Sequence, residues 1–399
     1  MALNNYLFTS ESVSSGHPDK LADQISDLIL DRFLEQDKDS KVACETFITD
    51  GLVLVGGEVH STAYVDIKKA AYDVLSKVGY NTESGFDPRS FGLISAIHEQ
   101  STDIRMGVER EREEMQGAGD QGMMFGYACN ETKQYMPATM VLANSTLQIL
   151  ERLRKKGNCI PLYPDAKCQY TIEYRNNKPY RIDKILVSTQ HAPTVTREAI
   201  ESLIANSVIP LVKKENKELE YLFKGDAILM VNPTGQFVIG GPKGDTGLTG
   251  RKIIVDTYGG KCPHGGGAFS GKDSSKVDRS AAYMARYLAK NIVASGIADE
   301  AIIQLSYAIG VAQPLSVYVN TNGTAKGCSD EDIAKIIIDN FDLTPSGIIK
   351  KFGLKNPIYY PTSTYGHFGR KPYIENGIQF FGWEVIDSAQ LFKTKKSKD

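Results

Sequence analysis

The order of predicted elements repeats three times along this 399-residue chain, and the repeat strongly limits the folds that it can form. Each repeat contains a helix with an apolar stripe, two strand-like runs and a second helix. Sequence identity between the repeats is slight, so the similarity lies in the order of the elements. The pattern predicts an α+β fold of three structurally similar domains, each a mostly antiparallel sheet covered by helices on one face.

The element boundaries follow from apolar periodicity and turn residues. The first hairpin is predicted at Asp50-Gly51 and the second at Asn176-Asn177. The predicted helices cover residues 18–36, 62–78, a segment after Pro137, 196–212, a segment from Ser275, and 330–341. The predicted strands cover residues 42–48, 52–59, 168–174, 182–189, 301–309 and 315–320.

Composition excludes several classes of protein. The 46 basic and 48 acidic residues nearly balance, so neither nucleic acid nor a membrane surface is predicted as a partner. The six cysteines are scattered without zinc-ligand spacing, which favours reduced thiols and a cytoplasmic location. The sequence contains no signal-peptide pattern and no apolar run long enough to span a bilayer.

The glycine- and lysine-rich segment at residues 259–280 favours phosphate binding. Glycine allows backbone N–H groups to approach an anion, and the helix predicted to follow would offer the positive end of its dipole. The segment nearly fits a P-loop, but Asp273 stands where that motif needs Ser or Thr. Phosphate binding by another geometry remains open, as does a flexible surface loop.

Basic residues and carboxylates recur together in four separate segments. For His17 and Asp19 alone, stabilisation of their own helix start is the favoured explanation. The recurrence instead favours a polyphosphate held by cations and one or two Mg²⁺ ions. The four groups are His17 with Asp19, Asp165 with Lys167, Asp245 with Arg251 and Lys252, and Lys272 with Lys276 and Asp278.

Two long irregular segments interrupt the repeats, at residues 98–122 and 231–250. The first is polar and charged and ends in glycines. A loop of that length is typical of an active-site lid or of a disordered segment. Either segment could also be a simple connection.

Three motifs resemble those of the S-adenosylmethionine synthetase family, the methionine adenosyltransferases. They are GHPDK at residues 16–20, GAGDQGMMFGYA at 117–128 and GGGAFSGKDSSKVDRSAAY at 265–283. The resemblance implies three α+β domains at residues 1–102, 116–236 and 237–377, with a mobile active-site loop at 100–111. It also implies a homo-oligomer, either a dimer or a pair of dimers, with active sites between subunits.

The family's reaction joins ATP and L-methionine. The methionine sulfur displaces the intact triphosphate from the ribose 5′ carbon, and the triphosphate is then hydrolysed to pyrophosphate and phosphate. Because the sulfur is a neutral nucleophile without a proton, no general base is needed, and the difficulty lies in stabilising the leaving group. The resemblance implies two Mg²⁺ ions per active site and one K⁺ ion per subunit.

The resemblance also assigns roles to individual residues. The residues expected to contact the triphosphate and its developing charge are His17, Lys167, Arg251, Lys252 and Lys272. The remaining ATP contacts are expected at Asp165, Gln236, Phe237, Asp245 and Ala268, with Phe237 stacking on adenine. The methionine contacts are expected at Glu58, Gln100, Asp245 and Lys276. Asp19 and Asp278 are expected to bind Mg²⁺, and Glu45 to bind K⁺.

Two positions depart from the family pattern. Gln236 stands where relatives commonly carry Arg, and Thr246 replaces a cysteine found in some members. A catalytically silent nucleotide-binding subunit, or a triphosphatase or kinase that uses the same residues, remains an alternative at this stage. Product formation from ATP and methionine separates these alternatives.

Overall fold

The computed structural model describes residues 5–100, 116–157 and 159–393. Its helices are α1 Pro18–Gln36, α2 Ile67–Val78, α3 Ala138–Lys155, α4 Arg197–Leu203, α5 Ile209–Glu215, α6 Ile253–Asp256, α7 Val277–Ser295, α8 Asp330–Asn340 and α9 Pro345–Phe352. Its strands are β1 Asn5–Val13, β2 Lys41–Thr49, β3 Leu52–His60, β4 Gly92–Glu99, β5 Gly122–Cys129, β6 Leu162–Arg175, β7 Lys178–His191, β8 Ile228–Val231, β9 Gly247–Leu248, β10 Glu300–Tyr307, β11 Ser316–Asn320, β12 Tyr373–Glu375 and β13 Ile378–Phe380.

Three small sheets carry the fold. Their strand orders are β1-β6-β7-β8, β4-β3-β2-β9 and β11-β10-β5, and β12 and β13 form a separate hairpin. Among the strands of the described residues, all pairings are antiparallel except those of β3 with β4 and β7 with β8. Helices α1, α3 and α7 each pack on one of these sheets. The predicted α+β class with mostly antiparallel sheets is confirmed.

The strongest local signals of the sequence are confirmed. Helix α1 has the predicted bounds, because Pro18 suits its first turn and its apolar stripe is buried. The first hairpin turns at Gly51, with φ of 67°. The second turns at Asn176 and Asn177, whose φ values are 50° and 59°. Both turns therefore use residues that tolerate the left-handed conformation.

Several boundaries differ from the prediction. Helix α2 begins at Ile67 and not at residue 62, because the Asp66 side chain caps it by accepting a hydrogen bond from Lys69 N at 2.9 Å. The helix predicted at 196–212 is α4 and α5, joined by a π-helical turn at Ile204–Val208. Helix α7 begins at Val277 and not at the predicted Ser275, and Lys276 is its N-cap.

Strand β1 was not predicted because its inward-facing side chains are polar. Ser10 and Ser12 are buried. Ser10 Oγ lies 2.8 Å from Thr139 Oγ1, and Ser12 Oγ donates to Asn144 Oδ1 at 2.6 Å. Buried hydroxyls that are hydrogen-bonded to α3 replace the apolar alternation on which a strand prediction depends.

The sheets exchange strands between distant parts of the chain. Strand β1 pairs with β6, β9 pairs with β2, and β5 pairs with β10. Two hydrophobic cores result: one contains the buried faces of α1 and α7, and the other contains that of α3 with β6 and β7. Each sheet is therefore completed by a strand that lies far away in sequence.

The structure also bears on membrane insertion and on the state of the cysteines. Within the described ranges, none of the helices combines the length and the apolar composition that crossing a membrane requires. All six cysteines are free thiols, as predicted.

Candidate functional site

The first cluster of charged side chains surrounds the start of α1. Asp19 is buried, and its Oδ1 accepts a hydrogen bond from Leu248 N at 3.0 Å. Lys252 Nζ lies 2.6 Å from Asp19 Oδ2, and Arg251 Nε lies 3.3 Å from Asp19 Oδ1. The structure therefore brings together two cations and a carboxylate that lie more than two hundred residues apart in the sequence.

His17 lies beside this cluster as a neutral imidazole. Burial and the nearby charges of Lys252 and Lys167 lower the pKa of His17 to about 2. Its Nδ1 accepts a hydrogen bond from Asp19 N at 3.2 Å, which makes His17 the N-cap of α1. Because Nδ1 is the acceptor, the proton of the neutral ring is on Nε2, which is therefore a hydrogen-bond donor.

Asp165 and Lys167 lie on β6 close to the first cluster. Asp165 is buried, and its Oδ2 accepts a hydrogen bond from Gly241 N at 2.9 Å. Its Oδ1 has no hydrogen-bond partner among the described residues. Burial raises the pKa of Asp165 to about 6. Lys167 is exposed, and its charge contributes to the low pKa of His17.

The expected adenine contacts lie on the loop after β8. Phe237 is half-buried, and its backbone N donates to His191 Nε2 at 3.0 Å. Gln236 and Asp245 are exposed. The aromatic face required for stacking is partly accessible, but adenine binding by Phe237 stays a prediction.

The second cluster lies on the loop that precedes α7. Lys272 Nζ lies 2.6 Å from Asp278 Oδ2. Hydrogen bonds fix the backbone of this loop: Gly271 N donates to Asp27 Oδ1 at 2.8 Å. Arg279 Nη1 donates to Phe269 O at 2.9 Å and to Lys272 O at 3.2 Å. The glycine-rich segment is thus an anchored loop, and the alternative of a flexible surface loop does not fit these contacts.

The other predicted residues are distributed around these clusters. Lys276 Nζ lies 2.5 Å from Asp273 Oδ2. Gln100 Nε2 donates to Glu58 Oε1 at 3.3 Å. Glu45 is exposed on β2, and half-buried Ala268 faces Gly250 so closely that a Cβ there would lie 2.4 Å from the Ala268 Cβ. The remainder of the loop expected at 100–111 lies outside the described residues.

Four buried aspartates on α1 had not been recognised as a unit. They are Asp19, Asp23, Asp27 and Asp31, spaced four residues apart and therefore on one face of the helix. Each accepts backbone hydrogen bonds from a distant loop, with the donors Leu248, Gly250, Gly271 and the pair Tyr359 and Tyr360. The spacing of four was the sequence signal that could have identified them.

Lys20 fixes the segment that carries Arg251 and Lys252. Its ammonium is buried between Asp23, at 2.8 Å, and Asp256, at 2.5 Å. Asp256 is the last residue of α6, four residues after Lys252. Burial raises the pKa of Asp256 to about 7, and the charge of Asp23 adds to this effect. This contact joins α6 to the first turn of α1.

The donor set fits Mg²⁺ held mainly by substrate. No group of three or more His, Cys, Asp or Glu side chains suited to hold a metal occurs in the described part of the chain. Asp19 and Asp278 instead each offer one carboxylate beside a lysine. Mg²⁺ is commonly bound by one or two carboxylates with phosphate and water as its other ligands. The residues present therefore suit this ion.

Comparison with known proteins identifies the family of the chain. Residues 5–102, 115–237 and 239–384 match the family models of the S-adenosylmethionine synthetase N-terminal, central and C-terminal domains. The chain is 54% identical to the S-adenosylmethionine synthase of Parabacteroides distasonis, covering 98% of this chain and 99% of that protein. It is also 54% identical to the synthase of Cytophaga hutchinsonii, covering 96% and 97%. The chain belongs to the S-adenosylmethionine synthetase family.

Proposed function

We propose that this methionine adenosyltransferase forms S-adenosylmethionine from ATP and L-methionine by displacing the intact triphosphate from the ribose 5′ carbon. The triphosphate is then hydrolysed to pyrophosphate and phosphate. Family membership and the names of the relatives support the enzyme class and the product. The observation that carries the mechanism is the convergence of Arg251 and Lys252 on Asp19 beside the neutral His17.

Stabilisation of the leaving group is the central requirement of this reaction. The methionine sulfur attacks as a lone pair and releases no proton, so the protein needs no base for this step. Negative charge accumulates on the departing triphosphate, and fixed cations are worth more against it than mobile ones, because they need no reorganisation. Arg251, Lys252 and Lys272 supply such cations, with Lys167 exposed nearby.

His17 acts as a neutral hydrogen-bond donor in this proposal. Its Nε2–H is directed by the bond that Nδ1 makes to the backbone of Asp19. A donor of this kind stabilises the oxygen that gains charge without transferring its proton. Because the pKa of His17 lies far below neutrality, this role does not change across physiological pH.

Asp19 and Asp278 would bind Mg²⁺, and Glu45 would bind K⁺. When bound, Mg²⁺ neutralises phosphate charge and orients the phosphates. Lys252 and Lys272 form ion pairs with the two carboxylates. These lysines become available to phosphate oxygens when Asp19 and Asp278 take other partners.

The remaining assignments concern substrates and assembly. Phe237, Gln236, Asp165, Asp245 and Ala268 would bind ATP. Glu58, Gln100, Asp245 and Lys276 would bind methionine. The division into domains at 1–102, 116–236 and 237–377, the assembly into a dimer or a pair of dimers with shared active sites, and the cytoplasmic location belong to the same proposal.

A direct assay tests this function. Purified protein is incubated with ATP, methionine, Mg²⁺ and K⁺, and S-adenosylmethionine, pyrophosphate and phosphate are quantified by chromatography. We expect all three products in equal amounts and no phosphate release without methionine. Folded protein that releases phosphate without methionine would instead be a triphosphatase, and folded protein that binds ATP without turnover would contradict the proposal.

A further inference from the structure

A cleft near the start of α1 is rich in positive charge and is not used by the proposed reaction. It has a volume of about 230 Å³ and is lined by side chains from α2, α3 and the segment around residues 360–370. Ser15, two residues before His17, also lines it. Its lining residues include the three cations Lys77, Lys155 and Arg370, the carboxylate of Glu151, and the hydroxyl groups of Ser15 and Tyr360.

The two lysines of the cleft come from different helices. Lys77 lies at the end of α2 with its Nζ 4.3 Å from the centre of the Tyr360 ring. Burial and the charge of Lys155 lower the pKa of Lys77. Because both lysines line the cleft, an anion bound between them would offset the repulsion of their charges.

Glu151 is the carboxylate that lines the cleft, and both of its oxygens already have bonding partners. Glu151 Oε1 lies 2.5 Å from Lys155 Nζ and accepts a hydrogen bond from Ser15 Oγ at 2.9 Å. Its Oε2 accepts a hydrogen bond from the Tyr365 hydroxyl. Glu151 can therefore neutralise one of the three cations that line the cleft, and an excess of two positive charges remains.

Arg370 also lines the cleft. Its Nη1 donates to Thr364 O at 2.8 Å and to Gly366 O at 3.2 Å, and its guanidinium lies 4.6 Å from the centre of the Phe381 ring. Among the described residues it has no carboxylate partner, and its Nε and Nη2 make no hydrogen bond. A guanidinium held in place with free donors is suited to bind an oxyanion.

We propose that this cleft binds a phosphate-type dianion, held by Lys77, Lys155 and Arg370. The excess of two positive charges matches the charge of the dianion. Three cations that reach the cleft from three separate segments suit a tetrahedral oxyanion, which presents oxygens in several directions, better than they suit a planar carboxylate. The cleft contains none of the residues of the clusters around Asp19 and Lys272. Binding there does not depend on the proposed reaction.

Crystallography with an anomalous scatterer tests this proposal directly. Crystals are soaked in selenate, a tetrahedral dianion, and the same soak is applied to the double variant Lys77→Gln, Lys155→Gln. We expect an anomalous peak in the cleft of the unmodified protein that is lost in the double variant. A peak beside Lys252 or Lys272 should persist in both, since it reports the separate triphosphate site. An empty cleft, or a peak of equal height in both proteins, which would mark an adventitious ion only, overturns the proposal.

A solution measurement provides the second test. The rise in unfolding temperature caused by inorganic phosphate is compared for the unmodified protein, the double variant and Lys156→Gln, an exposed neighbour of Lys155 that does not line the cleft. We expect the double variant to need several times more phosphate than the other two for the same rise. Identical responses in all three contradict the proposal. Succinate serves as the carboxylate probe, and a rise with succinate that exceeds the rise with phosphate contradicts the assignment to a tetrahedral oxyanion.

Discussion

Lys272 and Asp278 form an ion pair on a loop whose backbone is fixed by Asp27 and Arg279. Both side chains are about one-fifth exposed, so the pair itself contributes little to stability. Its value lies in placing a cation at a defined position without burying it. The same arrangement of a lysine on a carboxylate occurs at Lys252 and Asp19.

The variant Lys272→Ala should lose activity and keep its stability. Loss of a fixed cation that acts on the developing charge typically lowers turnover by about 10²- to 10³-fold. Because the side chain is not part of a core, the unfolding temperature should change little. Steady-state kinetics and thermal unfolding are compared with Lys178→Ala, an exposed lysine at the start of β7. Unchanged turnover in Lys272→Ala would remove this residue from the proposed role.

The variant Asp19→Asn should require more Mg²⁺ for the same activity. The amide oxygen can still accept the hydrogen bond from Leu248, so the backbone is preserved, but the charge that attracts the cation is lost. A shift of about tenfold in the Mg²⁺ concentration for half-maximal activity is expected for a loss of ~1.4 kcal/mol. The control is Asp50→Asn in the first hairpin turn. Identical Mg²⁺ titrations of Asp19→Asn and the control would contradict the ligand role.

His17 should remain neutral throughout the range in which most histidines titrate. The pKa of an unfolded histidine is about 6.5, whereas that of folded His17 is about 2. Between these values the unfolded chain binds a proton that the folded protein does not bind, so this residue lowers stability as the pH falls below 6.5 and not above it. NMR titration of ¹³C-labelled histidine, assigned with His17→Asn, measures this pKa. A midpoint near 6.5 for the His17 signal would contradict the prediction.

Helix α1 organises both charged clusters through its four aspartates. Asp19 and Asp27 are separated by eight residues, which corresponds to about 12 Å along a helix. Asp19 holds the strand that leads to Arg251 and Lys252, and Asp27 holds the loop with Lys272. A single rigid element thereby sets the positions of cations that come from distant segments, which is the preorganisation that leaving-group stabilisation requires.

The variant Asp27→Asn should damage both stability and turnover. Asp27 forms a buried bidentate pair with Arg279 at 2.7 and 2.9 Å. Neutralising one partner of such a pair leaves a buried charge and typically costs about 3–5 kcal/mol. Turnover should also fall, because the loop loses its fixed position. Denaturant unfolding and kinetics are compared with Glu35→Gln, on the exposed face of α1. Stability equal to that of the control would disprove the anchoring role.

The sequence is informative wherever one segment determines its own structure. The apolar stripe of α1 and the turns at Gly51, Asn176 and Asn177 are local features, and all were predicted. Strand β1 was missed because Ser10 and Ser12 are buried by hydrogen bonds to α3, which periodicity does not report.

In the candidate site, too, local features could be predicted from the sequence, whereas contacts between distant segments could not. Its charged residues could be selected from composition and motifs, since each segment carries its own basic and acidic groups. The contact of Asp19 with Lys252, by contrast, depends on how distant segments meet, and a single sequence carries no direct signal of that. Asp23, Asp27 and Asp31 look like ordinary helix carboxylates until the loops that bind them are in place.

At the scale of the whole molecule, the three sheets are linked by exchanged strands. Strand β1 belongs by sequence to the first repeat but completes the sheet of the second, and β5 extends the sheet of the third. The sheet of the first repeat in turn receives β9 from beyond residue 240. The proposed domains therefore share hydrogen bonds and are not independent units joined by linkers.

The isolated segment 1–102 should consequently fail to fold. It would lack β6 and β9, and the aspartates of α1 would lose their backbone partners at residues 248, 250, 271, 359 and 360. Lys20 would also lose Asp256. Burying these carboxylates without partners is more costly than exposing the apolar stripe of α1 to water. Circular dichroism and hydrogen exchange of the segment are compared with those of the full chain. A cooperative unfolding transition with protected amides in α1 would show that the segment is autonomous and that the exchanged strands are dispensable for its fold.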